Sequence, residues 1–225
     1  MWNKIRRGIA IVLLMMATGM LAWAFVPAER QVLIATLSPA DMQLEPVTGG
    51  DSPAILSSRL VRVEWPSVMR IADRCWMELD FSQLDEGLTQ TAQPTGFSDA
   101  YDNYNLMAEA RFEVAGIRVE PANPTRESMP RGQPLKFKWQ LTAYQAGIYD
   151  GTLWLLLRFL PLDGKTPSQQ PVYVQKITFQ TTSLGGLTAP MARWTGGVGA
   201  ILGIVLLFGD MIGWFRRSKD NLGIQ

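Results

Sequence analysis

The chain lacks the residue and the short motifs that most often indicate catalysis. Its 225 residues include no histidine, the commonest general base and a frequent metal ligand. No Gly-x-Ser-x-Gly, Ser-x-x-Lys or phosphate-binding glycine loop occurs in the sequence. We therefore expect a protein that is not an enzyme, and we assign no catalytic, cofactor-binding or metal-binding residue.

Acidic residues near the middle of the chain are the candidates for a cation site. They are Asp80, Asp85, Glu86, Asp99 and Asp102. Carboxylate oxygens of this kind ligate calcium, but the spacing matches no calcium-binding loop. We interpret these residues as solvated carboxylates that border a long loop.

Two apolar segments lie near the ends of the chain. Residues 8–26 carry no charge, and residues 191–215 carry only Arg193 and Asp210. Each segment reaches the roughly 20 helical residues that cross a hydrocarbon core of about 30 Å. Residues 1–7 and 216–225 are basic, which predicts that both termini are cytoplasmic. Residues 27–190 are then extracytoplasmic, and the chain lies in a cytoplasmic membrane.

The first segment has an alternative interpretation as a cleavable secretory signal. Ala22 and Ala24 place small residues just before Phe25, as a cleavage site requires. The uncharged run is longer than the ~7–15 residues of an ordinary signal core, so we favour a retained helix. Residues 27–190 are exported in both interpretations.

The exported region is sized for one domain and is acidic. It has 164 residues, 14 basic and 18 acidic, which gives a net charge of −4. Nucleic-acid binding needs a concentrated basic face, so this balance argues against a nucleic-acid partner.

A single cysteine, Cys75, excludes an intrachain disulfide. It falls at an inward position of a predicted strand, which favours a buried apolar thiol over an intermolecular bridge or a lipid-attached thiol. Asn123 precedes Pro124, so the chain has no N-glycosylation acceptor. Export without disulfides or glycan sites is typical of a bacterial envelope protein.

Most of the exported region follows the two-residue alternation of β-strands. In Leu135–Leu141, each odd-numbered residue is apolar and each even-numbered residue is polar. The seven predicted strands are Val32–Leu37, Leu60–Trp65, Ile71–Phe81, Ala108–Val114, Leu135–Leu141, Thr152–Leu160 and Val172–Thr182. Turns are predicted at Ala146-Gly147, Asp150-Gly151 and Asp163-Gly164. This pattern predicts an all-β sandwich of seven to eight strands, flanked by two transmembrane α-helices.

Residues 133–160 combine the strand LKFKWQL, a glycine-centred turn and a second apolar strand. This arrangement resembles bacterial immunoglobulin-like modules, and the resemblance implies an immunoglobulin-like sandwich. Two cysteines flanking a tryptophan, the signature of true immunoglobulin domains, are absent from the sequence.

A retained first helix has a consequence for the strand count. Seven alternating strands would leave one end of the domain far from the membrane, and residues 183–190 extend at most about 28 Å. We therefore expect Met42–Glu45 to form an eighth strand.

The sixth strand provides the candidate binding surface, because it is apolar on both faces. Either the loop Ser82–Tyr104, through Phe97, Tyr101 and Tyr104, or a partner protein should cover its outward side. Aromatic and arginine side chains dominate protein interfaces. The candidate interface residues are Trp76, Trp154, Leu156, Arg158 and Leu160.

Gly199 and Gly203 form a small-xxx-small pattern in the second apolar segment. Such glycines let helices approach closely, so we expect them to pack against the first segment or another membrane protein. Asp210 is expected to reach the interface or to pair with Arg216 or Arg217.

Together these features favour a membrane-anchored adaptor or accessory subunit. Its sandwich would dock another membrane or envelope protein, or a second copy of itself. The alternative is an extracytoplasmic sensor or ligand-binding module that signals through a partner. A deep pocket lined by Trp76, Tyr101 and Trp154 would favour this alternative.

Overall fold

The computed structural model describes residues 2–42, 54–84 and 98–220 of the chain. Contacts divide the protein into two compact units. The helix unit comprises Met1–Pro27, Arg70–Asp73 and Ser183–Gln225, and the sheet unit comprises Ala28–Met69 and Arg74–Thr182.

The described residues form three α-helices, a 3-10 helix and twelve strands. The helices are α1 (Trp2–Phe25), α2 (Ala100–Asn103) and α3 (Ala189–Asp220), and the 3-10 helix is Pro39–Met42. The strands are β1 (Arg30–Leu37), β2 (Ala54–Ile55), β3 (Arg59–Pro66), β4 (Val68–Arg70), β5 (Arg74–Gln83), β6 (Ser98–Asp99), β7 (Tyr104–Val114), β8 (Ile117–Glu120), β9 (Thr125–Ser128), β10 (Leu135–Ala143), β11 (Gly147–Pro161) and β12 (Ser168–Thr182).

Ten of these strands form two five-stranded sheets. Sheet 1 has the order β1-β3-β5-β10-β8, and sheet 2 has the order β4-β12-β11-β7-β9. β2 and β6 pair with each other in parallel. Inward side chains of both sheets belong to one apolar core cluster. The prediction of a mostly β protein with a long apolar helix at each end is confirmed.

All seven predicted strands are present, but the predicted count of seven to eight is too low for the described residues. β2, β4, β6, β8 and β9 were not predicted, because two to four residues are too few to show an alternation. Ile71 lies in a turn before β5 rather than in the strand. Of the predicted eighth strand, Met42 ends the 3-10 helix, and residues 43–45 lie outside the described residues.

The predicted turn at Asp150-Gly151 is wrong, since both residues lie within β11 and pair with β12. Gly151 faces the core, where an added Cβ would lie 2.5 Å from the Cζ atom of Phe112. Close approach of this ring, and not a chain reversal, requires glycine at this position.

Two helices of the helix unit are long and apolar enough to cross a membrane. The candidate spans are Lys4–Phe25 and Ala189–Phe208. On α1, Ala10, Ala17 and Ala24 are buried at seven-residue spacing, whereas large apolar side chains elsewhere on both helices are exposed. A small-residue stripe on one face and large apolar residues on the others suit a helix pair in lipid.

Glycines of α3 approach α1 closely, and the two helices run antiparallel. A Cβ at Gly203 would lie 2.6 Å from Leu14 Cγ, and one at Gly196 would lie 2.9 Å from Leu21 Cγ. At Gly199 the nearest atom is the Ala17 Cβ at 3.4 Å, an ordinary contact. The structure therefore places Gly203 in tight contact and Gly199 in looser contact, and it adds Gly196.

We predict that Gly203→Leu loosens the helix pair. Overpacking of a close contact costs about 1–3 kcal/mol, so amide hydrogen exchange along α1 should accelerate about 5- to 150-fold in detergent micelles. Gly197→Leu is the matched control, because no atom lies within 4 Å of a Cβ at that position. Equal exchange in the two variants would contradict the packing described above.

Candidate protein-docking face

Ion pairs between neighbouring strands occupy the central part of the outward face of sheet 1, whereas Val32, Ile34 and Trp76 are exposed elsewhere on that face. Lys136 Nζ lies 3.4 Å from Asp80 Oδ1, and Lys138 Nζ lies 2.9 Å from Glu78 Oε1. Each pair joins directly opposed residues of β10 and β5. Alternating charges of this kind suit a face in contact with water.

The outward face of sheet 2 has a different composition. Odd-numbered residues of β11 from Leu153 to Phe159 are fully buried, so the even-numbered residues point outward and are half-buried. We call this outward surface the β11 face. It comprises Trp154, Leu156, Arg158 and Leu160 of β11, Val174 and Lys176 of β12, Met107, Glu109, Arg111 and Glu113 of β7, and Arg126 of β9.

Two arginines fix the centre of the β11 face. The guanidinium carbon of Arg111 lies 5.2 Å from the ring centroid of Trp154, within cation–π distance. Arg126 Nε donates to Glu109 Oε2 at 2.6 Å, and the side chain of Glu109 is only 8% exposed. Trp154 and Glu109 are therefore held in place by neighbours on the same sheet, which gives the face a defined shape.

Trp76 is not part of the β11 face. It points outward from β5 of sheet 1, opposite Gln140, and is 47% exposed. Because both sheets turn their inward faces to one core, their outward faces lie on opposite sides of the sheet unit. The structure thus groups Trp154, Leu156, Arg158 and Leu160 and separates Trp76 from them.

The tyrosines predicted to cover this surface lie elsewhere. Tyr104 packs edge-on against Phe159, whose side chain is buried on the inward face, at a centroid distance of 5.8 Å. Tyr101 also packs against the core cluster, and Phe97 lies outside the described residues. Trp76 and Trp154 lie on the outward faces of different sheets and Tyr101 packs against the core, so the three residues do not line a common pocket.

Arg59 is a buried cation that the sequence pattern did not reveal. It is fully buried on the inward side of β3, with its guanidinium carbon 5.5 Å from the Phe81 ring centroid. Its Nη2 donates to Tyr101 Oη at 2.7 Å. Burial raises the pKa of the Tyr101 hydroxyl, against the opposing effect of Arg59. The tyrosine therefore stays neutral at physiological pH and supplies an uncharged acceptor.

The acidic residues considered for a cation site are divided among different partners. Asp80 pairs with Lys136, and Arg131 Nη2 lies 2.9 Å from Asp99 Oδ2 and 3.2 Å from Asp102 Oδ1. Asp85 and Glu86 lie outside the described residues. Within the part of the chain that the structure describes, no group of three or more acidic, histidine or cysteine side chains is arranged to hold a metal. Cys75 is half-buried against the core.

Asp73 forms a polar cluster in the helix unit. Arg193 Nη2 lies 3.0 Å from both carboxylate oxygens, and Arg70 Nη1 lies 3.8 Å from Oδ2. Arg193 also donates to the Ala24 carbonyl at 3.2 Å, and Arg70 donates to the Val26 carbonyl. The Ala24 carbonyl in the last turn of α1 and the Val26 carbonyl just beyond the helix thus each accept a hydrogen bond from an arginine.

One sequence signal pointed to this cluster. Asp73 falls on the apolar side of the alternation that runs from Ile71 to Phe81, where a solvated carboxylate is not expected. Arg193 was not singled out as a partner, because it lies 120 positions away from Asp73 in the sequence.

The chain was compared with known proteins. No protein-family model and no curated protein matches it. Among solved structures it is similar to AggA, the major subunit of aggregative adherence fimbriae type I from Escherichia coli. The TM-score is 0.28 at 9% identity, over 70% of this chain and 98% of the fimbrial chain. A TM-score this low does not establish a common fold, and we draw no functional conclusion from it.

We predict that Asp73→Asn weakens the end of α1. Hydrogen bonds to charged groups contribute about 1.5–3 kcal/mol, so amide exchange of residues 23–26 should accelerate about 10- to 150-fold. Asp163→Asn is the control, because that carboxylate pairs with Lys165 at 3.1 Å in an exposed hairpin. Unchanged exchange at residues 23–26 in Asp73→Asn would show that the cluster does not stabilise the helix end.

Proposed function

We propose that this protein is a non-enzymatic adaptor or accessory subunit of a bacterial cytoplasmic membrane, which docks another membrane or envelope protein through the β11 face. α1 and α3 anchor the chain in this proposal, with both termini in the cytoplasm. The sheet unit is an extracytoplasmic, immunoglobulin-like sandwich.

One observation carries the proposal, namely the contrast between the centres of the two outward faces. The centre of sheet 1 presents cross-strand ion pairs, whereas the centre of sheet 2 presents a tryptophan, leucines and arginines. Tryptophan and arginine are enriched among the residues that dominate binding energy. A sheet face that meets only water does not need Leu156 and Leu160 beside Trp154.

Several further features support this assignment. The two candidate spans and their basic flanks are compatible with a chain tethered at both ends. The absence of histidine from the sequence and of catalytic motifs supports a role that depends on binding.

The orientation can be tested with a reporter enzyme that is active only outside the cytoplasm. Gly164 is a suitable insertion point, because it lies in the exposed hairpin between β11 and β12 with no atom within 4 Å of an added Cβ. We expect activity after insertion at Gly164 and none after fusion behind Gln225. Activity behind Gln225 would contradict the orientation derived from the basic flanks.

Docking can be tested by photocross-linking in cells. A photoreactive residue at Leu156 should yield a discrete protein adduct, and the same residue at Lys138, on the outward face of sheet 1, should not. Trp154→Ser should reduce the adduct formed from position 156 at least about tenfold, since hot-spot truncation costs about 2 kcal/mol or more. Equal labelling from positions 156 and 138, or no adduct from either, would overturn the proposal.

A further inference from the structure

The charges on the β11 face differ in sign from those of the exported region as a whole. Residues 27–190 carry a net charge of −4. The β11 face has four basic residues and two acidic ones, a net charge of +2. The basic residues are Arg111, Arg126, Arg158 and Lys176, and the acidic residues are Glu109 and Glu113.

Two of the arginines already have acidic neighbours. Arg126 neutralises the nearly buried Glu109, with 2.6 Å between Nε and Oε2. Arg111 lies over the Trp154 ring and reaches Glu113 at 3.5 Å. The two glutamates compensate these two arginines, so the net charge of +2 lies on Arg158 and Lys176.

Arg158 is different, because the residues directly opposite it are uncharged and its diagonal neighbour Glu109 is paired with Arg126. It lies opposite Gln169 on β12 and opposite Met107 on β7. Its Nε is covered and has no hydrogen-bond partner, and it forms no ion pair with the side chains that the structure describes. Leu156 and Leu160 precede and follow it on the same side of β11. Among the residues that the structure describes, this guanidinium has no counterion and lies between two leucines.

We propose, on the basis of the proposed function, that the partner docked on the β11 face is a protein with an acidic surface, which places a carboxylate against Arg158 and apolar side chains against Leu156 and Leu160. A guanidinium presents paired N–H donors that match a carboxylate, and desolvation at an interface strengthens this pair. The net positive charge of the face steers an acidic partner toward it.

A protein surface fits these residues better than an anionic lipid surface does. Leu156 is half-buried in the middle of a five-stranded sheet, with β12 and β7 on either side, and Leu160 is half-buried near the end of β11, beside β7. Side chains in this position do not project far enough to enter acyl chains, which is how apolar residues of peripheral proteins bind membranes. Half-buried leucines in a sheet instead contact apolar side chains on the surface of another protein.

The test uses the full chain in nanodiscs of uncharged lipid and the purified protein that cross-links to position 156. Arg158→Glu should weaken binding about 10- to 100-fold, and raising the salt from about 0.05 to about 0.5 M should weaken wild-type binding as well. Arg158→Lys should lose less, since it keeps the charge but not the paired donors. Lys138→Glu on sheet 1 is the control for charge reversal and should change the affinity less than about twofold.

Three results would overturn this inference. If Trp154→Ser abolishes binding while Arg158→Glu leaves it unchanged or tighter, docking on the β11 face stands but the partner is not acidic there. If the residue at position 156 labels an anionic phospholipid instead of a protein, the face binds membrane. If neither Trp154→Ser nor Arg158→Glu affects binding, the proposed docking function itself fails.

Discussion

The alternation of side chains along β11 is the constraint on which the sheet unit depends. β11 pairs along most of its length with β12 on one side and β7 on the other. Burial of Leu153, Leu155 and Leu157 fixes its register. A slip of one residue would bring Arg158 into the core and move three leucines to the surface, so this register is strongly specified. The position of Trp154 and Arg158 on the outward face follows directly.

Packing of the core also decides where glycine and charge are tolerated. Position 151 requires glycine because the ring of Phe112 occupies the space that a side chain would need. Arg59 is retained in the same core, although an unpaired buried charge is costly. The Tyr101 hydroxyl and the face of the Phe81 ring provide the compensation that the structure describes. Side chains on the two outward faces do not have to fit into the core, so the compositions of these faces can differ.

In the helix unit, close approach of the backbones takes the place of large-residue packing. Gly196 and Gly203 of α3 meet α1 along the side where Ala10 and Ala17 are buried. Association of helices in lipid relies on such close contact, because apolar side chains gain little by leaving lipid for a helix interface. Asp73 and its arginines add a polar contact at one end of the pair, where the last carbonyls of α1 need donors.

Local patterns in the sequence determined much of this protein. Length and apolarity identify α1 and α3, and an alternation with a period of two identifies the seven longer strands, since both properties depend on residues close together in the chain. The same patterns indicated an apolar outward side of β11. The short strands β4, β8 and β9 escaped notice because three or four residues carry too little periodic signal.

Only the tertiary structure decided which strands share a sheet. The sequence predicts that Trp76 and Trp154 both face outward and lie on one candidate interface. In the structure β5 belongs to sheet 1 and β11 to sheet 2, so the two tryptophans lie on different faces. Asp73 meets Arg193 across 120 positions, and Gly196 meets Leu21 across an even longer stretch of chain. The alternation predicts on which face of its own strand a side chain lies. It does not predict which strand pairs with which, because pairing depends on the free energy of contacts between residues distant in the sequence.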